Sequence, residues 1–390
     1  MPRRTLQRIV RLSPDAARLA WGALPGGAKA ALSPLVHPIA SGERQRAIPL
    51  EVEVPSVRPR FDVVVAAGVE LPEDTRDQLR REGHRVFDAD ASELHGLARG
   101  QRVLDAVLLG DSEGCDAARE ARKLGWRVTT SAREMSRSFP EVSIVIPTHA
   151  ARDLCRSCLA SILHFTGWAN YRVVVVDDAS RDGTRDMLRA LARREAGISL
   201  VRLEKRVGFP RAVNAGLARS SGRYVVLLND DTVVGPGWLS RLVAALERNP
   251  DVGMVCPVTN QIANQARIDV DYATLDEMAT FAYERAFEQG GELAEAPSLA
   301  LFCAALERAA LEALGGLDER YDIGLFEDDD LSMAIRRSGQ RLAIALDAFV
   351  HHVGQATFGK LDDAAYLTLW ETNKRRFEEK WGVTWRPPVE

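Results

Sequence analysis

The chain has 390 residues, of which 46% are hydrophobic and 27% charged, with a net charge of −4. That length carries about two domains at roughly 100–200 residues each, and the charge supplies no bulk attraction for nucleic acid. No apolar run approaches the roughly 20 residues that span a bilayer. Arginines interrupt the start where a signal peptide would need apolar residues, and five cysteines, an odd number, point to reduced thiols and a cytoplasmic location.

Residues 1–58 form a basic N-terminal segment. Up to residue 46 it has eight basic residues against Asp15 and Glu43, a net of +6. Leu6, Ile9, Val10, Ala17, Trp21 and Leu24 line one helical face and Arg4, Arg8, Arg11 and Arg18 another, with Pro14, Pro25 and Pro34 breaking any long helix. Two roles stay open for residues 1–46: peripheral contact with anionic lipid at the inner face of the cell membrane, or packing on the adjoining α/β unit.

Residues 59–135 alternate strand and helix. Strands are expected at Phe61–Ala67, His84–Asp88, Val103–Leu109 and Trp126–Thr130. Helices are expected at Pro72–Glu82, Ser92–Ala98 and Cys115–Leu124, two of them stopped by Gly83 and Gly125. This is a small, Rossmann-like α/β domain, but its first strand-to-helix turn, Ala67-Gly68-Val69-Glu70, lacks the G-x-G-x-x-G fingerprint. Docking or packing is its expected role.

After a linker at Met135–Pro140, residues 141–358 form the main domain. Apolar strands are expected at Val142–Ile146, Tyr171–Val176, Ser199–Leu203, Tyr224–Leu228, Val252–Cys256 and Leu342–Val350. Helices are expected at Asp153–Phe165, Thr184–Arg194, Arg211–Ser220 and Pro236–Asn249. The strands are short and β-branched, as in a parallel sheet covered on both faces. Residues 359–390 form a helical tail, with Leu369, Trp370, Phe377 and Trp381 as anchors. Cys155 and Cys158 make a C-x-x-C, but they share helical spacing with Leu154, Leu159, Ile162 and Leu163 and read as small core residues rather than a redox or zinc pair.

Ligands of an open parallel sheet bind beyond the carboxyl ends of its strands. Polar groups gather there: Pro147-Thr148, Asp177-Asp178 and Asn229-Asp230-Asp231, each directly after an apolar run. Farther on, Glu327-Asp328-Asp329-Asp330 opens a helix. One or two acids there would be explained by the helix dipole, whereas four in a row repel one another and call for a cation or a role. His351-His352 ends a strand, and adjacent strand residues face opposite ways, so one imidazole at most faces the site.

From Val142 to Trp385 the chain resembles the family 2 glycosyltransferases of GT-A fold. The resemblance is carried by VSIVIPTHA (142–150), VVVVDDASRDGT (173–184), VGFPRAVNAGL (207–217), YVVLLNDDT (224–232), GGLDERY (315–321), FEDDDLSMAIRRSG (326–339) and FVHHVGQATFG (349–359). More narrowly, it is similar to transferases of O-antigen and other bacterial surface polysaccharides.

The resemblance implies a GT-A, nucleotide-diphospho-sugar transferase fold: a mostly parallel sheet flanked by helices. It implies inverting transfer from a UDP- or dTDP-sugar to a saccharide or lipid-linked saccharide acceptor, with Mn²⁺ or Mg²⁺ as cofactor. Asp231 and His352 would be the metal ligands, with His352 preferred over His351. Asp178 would accept an N–H from the base, and Pro147 and Thr148 would lie beside base and ribose. Asn229 stands in for the first acid of the metal-binding motif, and Asp230 would sit near the ribose or diphosphate. Arg211 and Asn214 would approach the nucleotide, although a solvated salt bridge is the competing role for Arg211. Asp328 would be the general base, with Glu327 beside it, while Asp177 would cap its turn, Asp330 would orient its helix and Thr357 would lie near the diphosphate.

Two other classes compete. A nucleotidyltransferase would need a glycine-rich basic loop, which Val145–Arg152 is not. A non-catalytic carbohydrate-binding or scaffold protein would have no need of the acids and histidine.

Overall fold

The computed structural model describes residues 52, 60–110, 115–262, 264–354 and 363–386, without side chains for 363–365. The expected roles of residues 1–46 and of Thr357 therefore fall outside the described residues. Among those described, no helix is long and apolar enough to cross a membrane.

The first sheet contains β1 (Asp62–Ala66), β2 (Val86–Ala89), β3 (Ala106–Leu109) and β4 (Arg127–Thr129) in the order β2-β1-β3-β4, parallel throughout. Its connections are α1 (Glu73–Arg81), α2 (Leu94–Gln101) and α3 (Asp116–Lys123). Every residue of β1 and β3 is buried, as strands covered on both faces require. The unit is not independent of the main domain. Phe61, Val63, Val65, Val107 and Leu109 share one core with Val142, Ile144, Trp168 and Trp238. Asp105 Oδ2 accepts the Gly167 N–H at 2.9 Å, and Arg127 pairs with Glu247 at 2.5 Å across the same boundary.

The second sheet has nine strands: β5 (Val142–Thr148), β6 (Tyr171–Asp178), β7 (Ile198–Leu203), β8 (Tyr224–Leu228), β9 (Thr232–Val234), β10 (Val252–Val258), β11 (Leu293–Glu295), β12 (Cys303–Glu307) and β13 (Arg341–His352). Their order is β11-β13-β10-β12-β8-β5-β6-β7, with β9 added on β13. Strands β5 to β8 run parallel, but β12 lies antiparallel between β8 and β10, and β9 and β11 are antiparallel to β13. The sheet is mixed, where the strand pattern alone reads as parallel.

Its helices are α4 (Arg152–Phe165), α5 (Thr184–Arg194), α6 (Phe209–Leu217), α7 (Trp238–Arg248), α8 (Leu275–Glu288), α9 (Arg308–Ala313), α10 (Glu327–Arg337) and α11 (Asp363–Trp381). The thiols of Cys155 and Cys158 are buried and unoxidised on α4, and burial pushes the Cys158 thiol up to about 12. They pack in the core with Leu159 and Ile162.

Strand order sets where a ligand can enter. The chain leaves β5 toward β6 and β7 on one side, then returns to place β8 on the other. This reversal opens a crevice at the carboxyl ends of β5 and β8, the place where open α/β sheets bind ligands.

Candidate active site

The crevice is lined by strand ends. Pro147 and Thr148 close β5, Asp177 and Asp178 close β6, and Asn229-Asp230-Asp231 follow β8. Thr148, Asp178, Asp230 and Asp231 are all buried. The Thr148 hydroxyl lies beside the Cys155 thiol.

Asp231 and His352 meet because β9 turns back and pairs with the end of β13, placing Thr232 opposite His352. His352 Nε2 lies 3.3 Å from Asp231 Oδ1. The other ring nitrogen, Nδ1, is 2.8 Å from the Gln261 carbonyl. A carbonyl only accepts, so Nδ1 carries the proton and Nε2 faces the carboxylate. Burial opposes the imidazolium, but the Asp231 charge and hydrogen bond outweigh it and raise the His352 pKa. Asn260 fixes the backbone behind the ring. Its Nδ2 donates to the His352 carbonyl at 3.1 Å and its Oδ1 accepts the His352 N–H at 2.8 Å. Phe302 stacks on the imidazole, with centroids 5.3 Å apart and planes 26° apart.

Among the described residues, no group of three or more His, Cys, Asp or Glu side chains is arranged to hold a metal ion. Asp231 and His352 offer one oxygen and one nitrogen to a common point. That donor set suits a borderline divalent cation completed by ligand oxygens and water. The Nδ1–H to carbonyl bond is the usual support for a ligating imidazole. His351 turns the other way: its Nδ1 is 2.7 Å from the Tyr272 hydroxyl, inside an aromatic group with Phe281 and Phe349. Burial, with the neighbouring His352, lowers its pKa to about 4.

The four acids opening α10 divide into two pairs. Asp330 is buried and receives the Tyr321 hydroxyl at 3.0 Å, Lys380 Nζ at 2.7 Å and Trp381 Nε1 at 2.8 Å. Asp329 receives Trp385 Nε1 at 2.8 Å and a hydrogen bond from Ser298. These two lock α10 to α11 and its tail. Among the described residues, Glu327 and Asp328 have no such cation or indole. Asp328 Oδ1 accepts the Asp329 N–H at 2.9 Å, and Glu327 Oε2 is buried without a partner among the described residues. Burial, followed by the charge of Asp329, pushes Asp328 up to about 7. Glu327 is raised well above the carboxylate range by burial and by Asp328.

One short segment ties the acids to the Asp231–His352 pair. Ser298 bonds Asp329, the Leu299 N–H donates to Ser332 Oγ at 3.1 Å on α10, and Phe302 covers His352 while its carbonyl accepts the Asn229 N–H at 2.8 Å. Four residue steps cover at most about 14 Å of backbone, so the start of α10 and the end of β8 border one crevice.

Asp178, Asn214 and Arg211 each have partners within the protein. Asp178 accepts the Val207 N–H at 2.7 Å and the Gly208 N–H at 2.9 Å, one on each oxygen. It clamps the loop before α6. Only glycine fits at 208: φ is +91°, and an added Cβ would lie 2.0 Å from the Asp322 carbonyl oxygen. Asn214 is engaged by the loop that follows α9. Its amide donates to the Leu317 carbonyl at 2.8 Å and Glu319 at 3.1 Å, and accepts the Leu317 N–H at 2.9 Å, which uses its capacity on the 315–321 loop. Arg211 takes its competing role, a solvated salt bridge, with Glu319 at 3.3 Å and Asp322 at 4.0 Å. Asp177 caps its turn as expected, accepting the Ser180 N–H at 2.8 Å. Phe302 carries no signal in the sequence, because it belongs to no acidic or histidine cluster.

The class to which this fold and crevice belong is defined by comparison. The model of the family described as Glycosyl transferase family 2 matches residues 143–315. An O-antigen biosynthesis protein of Myxococcus xanthus is 28% identical over 275 residues, 65% of this chain and 20% of that protein. A putative teichuronic acid biosynthesis glycosyltransferase of Bacillus subtilis is 37% identical over 92 residues, 24% of this chain and 36% of that protein. A solved mannosyltransferase of Pyrobaculum calidifontis, in complex with GDP-Man and Mn²⁺, has a TM-score of 0.47 at 23% identity, covering 64% of this chain and 66% of its own. The chain spans only about a fifth of the Myxococcus xanthus protein's length and about a third of the Bacillus subtilis protein's.

Proposed function

We propose that the protein is an inverting, divalent-metal-dependent glycosyltransferase acting on a UDP- or dTDP-sugar and a saccharide or lipid-linked saccharide acceptor, in the synthesis of a bacterial surface polysaccharide. The observation that supports it most is the His352–Asp231 pair, 3.3 Å apart at the crevice of the domain that the family 2 glycosyltransferase model matches. Asp231 and His352 would hold Mn²⁺ or Mg²⁺, whose chemistry is to neutralise the charge that develops on a leaving diphosphate. Asn260 and the Gln261 carbonyl keep the imidazole aimed. Pro147, Thr148 and Asp230 line the donor side, with Asp178 shaping that wall through the 207–208 loop.

The acceptor hydroxyl attacks the anomeric carbon from the side opposite the diphosphate, which inverts configuration. Asp328 takes the proton released in that attack, and Glu327 lies beside it. A carboxyl near pH 7 is matched to such work, because it is ionised enough to accept a proton and basic enough to hold one.

The test is release of nucleoside diphosphate from UDP-, dTDP- and GDP-sugars with Mn²⁺, with and without EDTA. Release from a UDP- or dTDP-sugar that EDTA abolishes and Mn²⁺ restores supports the proposal. Full activity in excess EDTA, or release of pyrophosphate from sugar 1-phosphate and nucleoside triphosphate, contradicts it.

A further inference from the structure

A second polar cleft, separate from the crevice of the candidate active site, lies where the first sheet's unit meets α7 and α8. Its volume is about 610 Å³. Arg119, Arg122 and Lys123 of the α3 region and Arg241 and Arg248 of α7 line it. The acids on its wall are Glu288 and Glu292. Beside it Lys123 pairs with Glu120 at 2.6 Å and Arg119 with Asp116, so the less-matched cations of the lining are Arg241 and Arg248. Arg241 and Arg248 lie seven residues apart on one helix face, and their guanidinium groups converge. A Cβ built on Gly125 would stand 3.2 Å from Arg241 Nη1 and 3.6 Å from Arg248 Nη2.

Their charges are incompletely matched. The Arg241 side chain is 2% exposed. Its Nη1 donates to the Leu124 carbonyl at 2.6 Å, while Nε and Nη2 have no partner among the described residues. The carboxylate facing it, the buried Asp347, is 4.0 Å away and also accepts the Gly291 N–H. Arg248 donates to the Arg122 carbonyl and makes no ion pair among the described residues. Asp347 and, farther off, Asp105 act on Arg241, and Asp347 and Glu247 act on Arg248. None of these makes an ion pair closer than 4.0 Å with either arginine among the described residues, and two neighbouring cations with donors left over are costly unless an anion joins them. Arginine is the residue best suited to grip phosphate oxygens in pairs.

We propose that this cleft is a binding site for a phosphate-bearing anion. The anion's oxygens would be held by Arg248 at the rim, with Lys123 and Arg119 on the facing wall. Such a ligand would bridge the small α/β unit and the glycosyltransferase domain, whose α7 contributes two of the arginines.

The experiment is titration calorimetry of the full chain with inorganic pyrophosphate and phosphate, in EDTA at fixed ionic strength. Four proteins are compared: the unaltered chain, Arg248→Gln, the double variant Lys123→Gln with Arg248→Gln, and Arg193→Gln, an exposed arginine on α5 that removes the same single charge as Arg248→Gln. The expected result is one saturable site, weakened about tenfold or more by Arg248→Gln and unchanged in Arg193→Gln. No saturable binding, or equal weakening in Arg193→Gln, overturns the proposal. Sedimentation with phosphatidylglycerol vesicles, against phosphatidylcholine vesicles, identifies the source. Loss of vesicle binding in the Arg248 variants assigns the phosphate to a lipid headgroup. Unchanged vesicle binding beside lost pyrophosphate binding assigns it to a soluble ligand.

Discussion

His352 Nε2 points at Asp231 Oδ1 across 3.3 Å, and its Nδ1 is held by the Gln261 carbonyl. The two side chains come from positions 121 residues apart and are joined by the short β9–β13 pairing. Removing either should take away one of two protein ligands. Asp231→Ala and His352→Ala are each expected to weaken Mn²⁺-supported UDP or dTDP binding about tenfold or more, read by calorimetry. His351→Ala should lower stability through the lost Tyr272 contact and leave Mn²⁺ affinity nearly unchanged. Equal Mn²⁺ effects at both histidines would contradict the assignment.

Asn260 gives a separate handle on the same ring. It grips both the N–H and the carbonyl of His352 without offering itself to the crevice. Outer supports of this kind typically carry about 10- to 100-fold in metal affinity. Asn260→Ala should therefore weaken Mn²⁺ binding by about tenfold, measured by manganese paramagnetic resonance. Unaltered affinity would show that β13 holds the imidazole unaided.

Asp328 should set a pH dependence. Burial and the charge of Asp329 raise its carboxyl to about 7. Below that it is largely protonated and cannot accept a proton, so turnover should rise with pH to a plateau above about 7. Since the acids interact, the midpoint belongs to the cluster. The stability effect has the opposite sense. A folded pKa above the unfolded one favours the protonated fold, so this contribution is complete below about pH 4 and lost as pH rises through about 7. Melting curves of Asp328→Asn should lack that part of the decline.

The lock between α10 and α11 predicts where stability resides. Lys380 reaches Asp330 at 2.7 Å and Asp318 at 2.8 Å, and Trp385 reaches Asp329 at 2.8 Å. Lys380→Met leaves a buried acid short of its cation and should cost about 1–3 kcal/mol. Trp385→Phe should cost about 1 kcal/mol. Denaturant titration checks both, and no loss in either would show that the tail is held by its apolar anchors alone.

The parts of this architecture that announce themselves locally were legible in the sequence. Apolar, valine-rich runs marked β5, β6 and β8, acids following directly on β6 and β8 marked their ends, and the charge of 327–330 marked the start of α10. The adjacent histidines were separable by strand alternation. Helix α8 was not legible, although Thr274 and Glu277 form a capping box at its start. Its buried residues are Met278, Ala282 and Ala286, two of them alanines, so the apolar stripe was faint. Strands β9 and β11 are three residues each, too short for a period. The antiparallel course of β12 depends on pairing with β8 and β10, a tertiary fact. The polarity of Asn214 and Arg211 was visible in the sequence, whereas their partners at 317–322, a hundred residues away, were not.

In the proposed function Asp328 would accept the proton, while the donor would be held elsewhere, at Asp231, His352 and the strand ends. Asp328→Asn preserves shape and removes the base. The decisive measurement is sugar transfer by Asp328→Asn at saturating donor and Mn²⁺, alongside UDP or dTDP titration of the same protein. Transfer is predicted to fall by about 10²–10⁴-fold with nucleotide affinity nearly unchanged. Near-normal transfer would exclude Asp328 as the base.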